Sequence, residues 1–390
     1  MTDLLLAHDF PPIGGGIARW MTELARRYPP GELVVSTGHM PGANDTWTSA
    51  VVDRVPVASA RLKTLPGLWA WQRRARDLAR RHQVGFVWCD TVRPAGYVAR
   101  EARRRERIPY GIMLHGGDLL QLQAKYRRSR LKALSARALL GGATVLAANS
   151  AWTADLAAAV FDELRLPVED RIRAVPLGTD VDRFRPEADP GPFLARYGLP
   201  TGRYLLTVAR LVPHKGIDST IEALALLGPA FADVRYLVVG RGSDAPRLHQ
   251  LALARGVADR IVWLDQVADD ELPAAYRAAT VYAGLSRAEG LDIEGFGIAL
   301  MDAAAAAIPV VAGASGGTAE AVRHEETGFR VPPQDLPAAV AAIGRLLDDP
   351  VLAARFGAAG RSWAVSERNW ERTVMLLREL SRAGASAGRP

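Results

Sequence analysis

Short apolar runs of strand length recur along this chain, each closed by a glycine or a polar turn and followed by a stretch of helical periodicity. That alternation restricts the fold more tightly than any single residue, because strands alternating with helices build parallel sheets with both faces covered. A first series lies at residues 4–7, 33–36, 85–88, 110–114 and 144–148, and a second at 204–209, 236–240, 261–264, 281–284 and 308–312. The runs are largely apolar, as strands buried on two faces must be. A chain of 390 residues exceeds what one core organises. Two α/β domains are expected, the second repeating the architecture of the first without its sequence. The Pro- and Gly-punctuated stretch around Asp180-Val181-Asp182 reads as the linker rather than as a metal site.

In parallel sheets ligands collect beyond the carboxyl ends of strands, so the residues that close each run carry the chemistry. Residues 4–7 lead into His8-Asp9-Phe10-Pro11-Pro12, then Gly14, Gly15 and Gly16 ahead of a helical stretch at 17–28. Such a turn lets the backbone approach a phosphate at a helix start, although it is not the G-x-G-x-x-G dinucleotide fingerprint. The run at 110–114 ends at His115-Gly116-Gly117-Asp118, which sets a histidine at a strand end. In the second series Arg210 follows the run at 204–209, and Lys215 comes next in Leu-Val-Pro-His-Lys-Gly. A guanidinium fork and an ammonium so spaced suit a diphosphate. The stretch 288–312 is the richest. Glu294 and Asp302 are eight residues apart, about 2.2 helical turns, which puts both on roughly one face. Gly295 and Gly297 leave backbone N–H groups bare where a helix over 298–307 begins, a position that favours an anion.

Hydrophobic content of 49% with 23% charged residues is globular composition. The single Cys89 excludes an intramolecular disulfide and a cysteine-based zinc site, and fits a reducing compartment. Met1-Thr2-Asp3 lacks a basic leader region, and the apolar stretch 296–314 is broken by Asp302 and Pro309. Neither a secretory signal nor a membrane span is therefore expected. The net charge of +7 is concentrated in the first half, with arginine clusters around 73–81, 103–107 and 127–132. These read as solvated helix faces or as a patch for an anionic surface.

With these residues assembled, the chain resembles the retaining nucleotide-sugar glycosyltransferases of family 4. The resemblance covers nearly the whole chain. It rests on Glu294-Gly-Phe-Gly-Ile298 with an acid eight residues on, Ile308-Pro-Val-Val-Ala312, Arg210 with Lys215, His115-Gly116, and Pro11-Pro12 ahead of the triple glycine. Within the family it looks closest to the bacterial phosphatidylinositol mannosyltransferase branch, through Phe10-Pro11-Pro12, Arg210-Leu-Val-Pro213 and Ala314-Ser315-Gly316-Gly317.

The resemblance implies an α/β GT-B fold: two Rossmann-like domains with parallel sheets facing across a central cleft. An acceptor-side domain is expected over 1–182 plus a last helix at about 369–382, a donor domain over 186–368, and a flexible tail over 383–390. It implies a diphosphate held by Arg210 and Lys215, with backbone N–H groups of Gly14, Gly15 and Gly16 and of Phe296, Gly297 and Ile298. Glu294 is implied to accept hydrogen bonds from sugar hydroxyls, and His115 to lie near the anomeric centre. The second glutamate of the family is Asp302 here, one methylene shorter, reaching the ribose directly or through water. Gly240 and Val267 are expected near the nucleobase. Front-face transfer with retention, needing neither metal nor other cofactor, is the implied chemistry.

The expected partners are a GDP- or UDP-linked sugar, a hydroxyl acceptor that includes lipid-linked ones, and an anionic membrane surface, with no nucleic acid. The expected location is cytoplasmic or peripheral on the inner membrane face. Two other readings stand beside this one. An epimerase or phosphorylase could use a similar scaffold, although no lysine stands in an evident pyridoxal phosphate pocket. A non-catalytic basic surface-binding protein leaves Arg210, Lys215 and Glu294 without a role.

Overall fold

The computed structural model of the chain describes residues 1–168 and 170–387. It divides into two compact units, one formed by Met1–Leu177 with the chain from Trp370 onward, the other by Gly178–Asn369.

The first unit is built on seven parallel strands: β1 (Thr2–Leu6), β2 (Leu33–His39), β3 (Val51–Ala58), β4 (Val84–Cys89), β5 (Tyr110–Leu114), β6 (Val145–Ala148) and β7 (Ile172–Ala174). Their order in the sheet is β3-β2-β1-β4-β5-β6-β7, so the direction of winding reverses between β1 and β4. Leu4, Leu5, Leu6, Val35, Phe86, Val87 and Ile112 are fully buried, which is the reason the central strands are largely apolar on both faces. Ser150 caps the helix Ala151–Glu163 by accepting the Thr153 N–H at 3.1 Å.

The last helix runs Trp370–Ala387, beyond the expected end near 382, so residues 383–387 are helix rather than flexible tail; 388–390 lie outside the described residues. Its small residues explain the extension. Ala385 is buried, and a Cβ at Gly384 would sit 2.6 Å from the Phe86 ring, so the helix lies directly on the sheet. Arg378 also pairs with Glu32 at 2.6 Å, and Thr373 donates to the Pro176 carbonyl at 3.0 Å.

The second unit holds six parallel strands: β8 (Tyr204–Val208), β9 (Arg235–Val239), β10 (Ile261–Leu264), β11 (Val281–Gly284), β12 (Val310–Gly313) and β13 (Gly328–Val331). The order β10-β9-β8-β11-β12-β13 repeats the first pattern, with the reversal between β8 and β11. The chain enters this unit at Gly178, a few residues before the expected linker. There the Thr179 N–H donates to the Arg368 carbonyl at 2.9 Å and the Thr179 hydroxyl to Asp302 at 2.6 Å. β3, β7 and β13 were not expected from the sequence, and each is an edge strand.

Candidate active site

The loops that leave the carboxyl ends of the second sheet carry the expected donor residues other than Gly14, Gly15 and Gly16. Arg210 follows β8 and is exposed; its guanidinium makes no hydrogen bond or ion pair among the described residues. The loop that carries it is fastened to the loop after β9: the Leu211 N–H donates to the Arg241 carbonyl at 3.0 Å and the Asp244 N–H to the Leu211 carbonyl at 3.0 Å. A Cβ at Gly240 would lie 2.0 Å from the Ala209 carbonyl oxygen, so this close approach requires glycine. Val267 sits half-buried in the loop after β10.

Lys215 ends a short turn, Pro213–Lys215, and its ammonium pairs with the Glu294 carboxylate. The two side chains are 18% and 21% exposed, open enough to exchange one another for a ligand. Burial alone would raise the Glu294 carboxyl, but the Lys215 charge and hydrogen bond outweigh it and hold the group below the usual carboxylate range. His214 next door is held below the usual imidazole range by burial and by Lys215, so it is neutral at neutral pH.

Glu294 is set from behind by the glycine loop after β12. The Gly317 N–H donates to the Glu294 carbonyl at 3.0 Å, while Gly316 stands at φ +59° with its Cβ direction 2.4 Å from that same oxygen. The helix Ile298–Ala305 starts at Gly297 with no side-chain cap, leaving its first N–H groups open to an anion. Phe296 contributes backbone only, because its ring is buried. Asp302 is 1% exposed, and its Oδ1 accepts the Thr179 hydroxyl at 2.6 Å.

Arg287 holds two of these loops together, a role the sequence did not suggest. Its guanidinium forks onto Asp218 at 2.7 and 2.9 Å and reaches Glu289 at 2.7 Å, while its N–H donates to the His214 carbonyl at 2.9 Å. The pair braces the Lys215 turn against the loop that leads to Glu294.

In the first unit the corresponding reversal point carries acids. Asp90 directly follows β4 and is fully buried. Its Oδ2 accepts the backbone N–H groups of His8 at 2.6 Å and Asp9 at 3.0 Å, and the Thr91 hydroxyl lies 3.0 Å from its Oδ1. The Asp90 carbonyl accepts from His115 Nε2 at 2.5 Å, and the His115 ring meets Trp20 edge-on at 5.2 Å between centroids. The His115 N–H donates to Asp118 at 3.0 Å. Burial pushes the Asp90 carboxyl up, whereas the His8 ring, 2.9 Å from Asp9, holds Asp9 down. Gly14 and Gly15 lead into the helix Gly16–Arg27, which also lacks a side-chain cap. His8, Asp9 and Asp90 acquire meaning only once β1 and β4 are known to be neighbours, which local sequence does not reveal.

Two Rossmann-like units in one chain, with polar loops collected at the carboxyl ends of both sheets, define a protein of GT-B fold. Solved structures share it: a sucrose-phosphate synthase from Thermosynechococcus elongatus aligns with a TM-score of 0.79 at 22% identity, over 99% of this chain and 100% of that one. HepE of Anabaena in complex with UDP aligns with a TM-score of 0.78 at 21% identity, over 98% and 100%. The model of Glycosyltransferase Family 4 matches residues 14–183, and that of Glycosyl transferases group 1 matches 195–363. The GDP-mannose-dependent alpha-(1-6)-phosphatidylinositol monomannoside mannosyltransferase of Mycobacterium tuberculosis is 31% identical over 98% of this chain and 99% of its own length. The chain belongs to glycosyltransferase family 4 and is a glycosyltransferase.

Proposed function

We propose that the protein transfers mannose from GDP-mannose to a hydroxyl of a phosphatidylinositol mannoside, retaining anomeric configuration and using no metal ion. The observation that carries the reading is the cationic reversal point of the second sheet: Arg210 exposed, Lys215 paired with Glu294, and an uncapped helix start beside them. Positive charge in that arrangement offsets the charge that develops on a leaving diphosphate, the task a metal performs elsewhere. GDP-mannose and the inositol lipid are supported by the name of the mycobacterial relative, which aligns from end to end.

Arg210 and Lys215 hold the diphosphate, and the N–H groups at Gly297 and Ile298 add further donors. Glu294 accepts hydrogen bonds from sugar hydroxyls and keeps Lys215 in reach. His115 orients the sugar at its anomeric carbon. The bond from that carbon to the phosphate oxygen breaks while the acceptor oxygen bonds on the same face, and the acceptor proton passes to the leaving phosphate. A lipid acceptor goes with contact to an anionic bilayer. On the helix Arg130–Gly142, Leu131 and Leu134 stand 79% and 64% exposed among Arg130, Lys132 and Arg137. No helix among the described residues is long and apolar enough to cross a membrane.

Transfer is tested by incubating the protein with GDP-mannose, UDP-glucose or UDP-N-acetylglucosamine and phosphatidylinositol monomannoside in vesicles, with and without EDTA. A mannolipid whose anomeric proton signal matches the α-configured donor, formed equally with EDTA, is expected. Transfer from a UDP-sugar alone removes the donor assignment, an inverted product removes the front-face route, and loss with EDTA removes metal independence.

A further inference from the structure

We propose that Asp90 is a positioning residue of the transfer reaction, fixing the His8-Asp9 turn and the His115 ring in one arrangement at the reversal point of the first sheet. Three elements converge on this residue. Its carboxylate takes two consecutive N–H groups from the turn after β1, on a single oxygen, at 2.6 and 3.0 Å. Its carbonyl takes Nε2 of the histidine that follows β5, at 2.5 Å. Its own N–H donates to the Leu6 carbonyl at 3.0 Å, which locks it into the sheet.

A fully buried carboxylate is a costly way to satisfy two turn amides, since a neutral acceptor serves at far less desolvation. What the charge adds is short, strong hydrogen bonds and hence a narrow distribution of geometries. The carbonyl contact has a chemical consequence as well. A carbonyl only accepts, so Nε2 of His115 carries hydrogen, and in the neutral ring Nδ1 is the nitrogen left as an acceptor. The backbone at position 90 thus sets which His115 nitrogen can receive a hydrogen bond, and the Asp90 carboxylate holds that stretch of backbone against the His8-Asp9 turn.

The inference rests on the assignment of His115 to the transferred sugar. Its test begins with the donor that turns over in wild type and a double-mutant cycle of Asp90→Asn and His115→Ala. Asp90→Asn should lower kcat about 10- to 100-fold, the scale of lost orientation, with the dissociation constant of GDP unchanged. The double variant should be no slower than His115→Ala alone. Multiplied losses, a wild-type kcat in Asp90→Asn, or a loss seen only as weaker GDP binding each overturn the proposal. If Asp90→Asn does not fold, Thr91→Val decides, since it removes a hydroxyl from the same carboxylate while keeping the charge. A kcat lowered severalfold is expected there, and a wild-type kcat overturns the idea. Nitrogen-15 spectra of histidine-labelled wild type should show His115 protonated at Nε2; a neutral ring protonated at Nδ1 rejects the geometry independently of turnover. Failure of the underlying assignment looks different, because His115→Ala itself would then keep full activity.

Discussion

The two sheets share one strand order around their reversal points and carry opposite charge there. Where β8 and β11 part, Arg210, Lys215 and the open helix start at Gly297 present positive charge. Where β1 and β4 part, Asp90 accepts the His8 and Asp9 N–H groups, and beside it Asp118 accepts the His115 N–H at 3.0 Å. The same backbone topology therefore places cationic side chains and an uncapped helix start at one reversal point and carboxylates at the other. Topology decides where a ligand sits, and the loop residues decide its charge. At each reversal point, moreover, a half-buried group is held by backbone from another strand end: Glu294 by the Gly316-Gly317 loop, His115 by the Asp90 carbonyl.

The strongest way to break this comparison is to remove the cation. Lys215→Ala should cut turnover about 100- to 1,000-fold, the usual effect of deleting one donor to a developing anion, and should weaken GDP binding in calorimetry. It should also change the pH profile. In wild type Lys215 outweighs burial and keeps Glu294 ionised into the acid range. Without Lys215, burial dominates and the carboxyl rises, so the acid limb of kcat/KM should move to higher pH. Wild-type turnover with an unmoved acid limb would falsify the cationic role.

A second variant sharpens the contrast by probing a buried acid away from chemistry. Asp3, at the opposite end of β1 from His8, is 1% exposed and is pushed up to about 6 by burial, which outweighs the lowering by hydrogen bonds from Ser381 and from the Tyr28 hydroxyl, the latter at 2.5 Å. A raised carboxyl pKa means the folded state holds the proton more tightly. The associated stability is complete below the ordinary value of 3.8 and is lost as pH rises through about 6. Across that window the loss is about 2–3 kcal/mol, at about 1.4 kcal/mol per unit. Asp3→Asn removes the titration, so thermal unfolding should favour the variant increasingly between pH 4 and pH 7. A constant difference across that range rejects the assignment. The carboxylates held low, such as Glu294 and Asp218, give wild type the opposite slope, which is why the variant is compared at each pH.

The two sheets also show what a sequence makes legible. Every central strand was visible as an apolar run because both its faces are buried. Of the four edge strands only β10 was: β3 carries Asp53, Arg54 and Pro56 on a half-exposed strand, as edges do, β7 is three residues long, and β13 is a short Gly-Phe-Arg-Val run. Arg210, Lys215 and Glu294 were visible because charged groups interrupt apolar surroundings at strand ends. Asp90 and Arg287 were not, because their roles depend on which strands are neighbours. Asp90 matters through the turn after β1, and Arg287 through Asp218 in the first turn of the helix Ile217–Leu226.

The Gly316 turn tests how much of the donor site's precision comes from backbone. Alanine there must adopt φ +59° and place its Cβ 2.4 Å from the Glu294 carbonyl oxygen. Gly316→Ala should cost about 2 kcal/mol in stability and lower turnover severalfold, with KM for the donor raised because Glu294 shifts. Unchanged melting and turnover would show that the loop adjusts freely.

The smallest effect concerns Asp302, where the sequence departs from the glutamate implied by family resemblance. As a ribose ligand, the shorter acid should be improved or left unchanged by Asp302→Glu. Its carboxylate is buried, with Oδ1 accepting the Thr179 hydroxyl, and Thr179 is where the chain joins the second unit, beside Arg368 and Asn369. A glutamate must then fit an extra methylene into a site with 1% exposure, an overpacking that costs about 1–2 kcal/mol. Asp302→Glu is therefore expected to melt earlier and to bind GDP no better, and Thr179→Val to remove most of the difference between the aspartate and glutamate forms. Tighter GDP binding by Asp302→Glu at unchanged stability would return this residue to the ribose. The second unit's site would then have an acid facing its ligand in addition to Glu294, narrowing the contrast with the first.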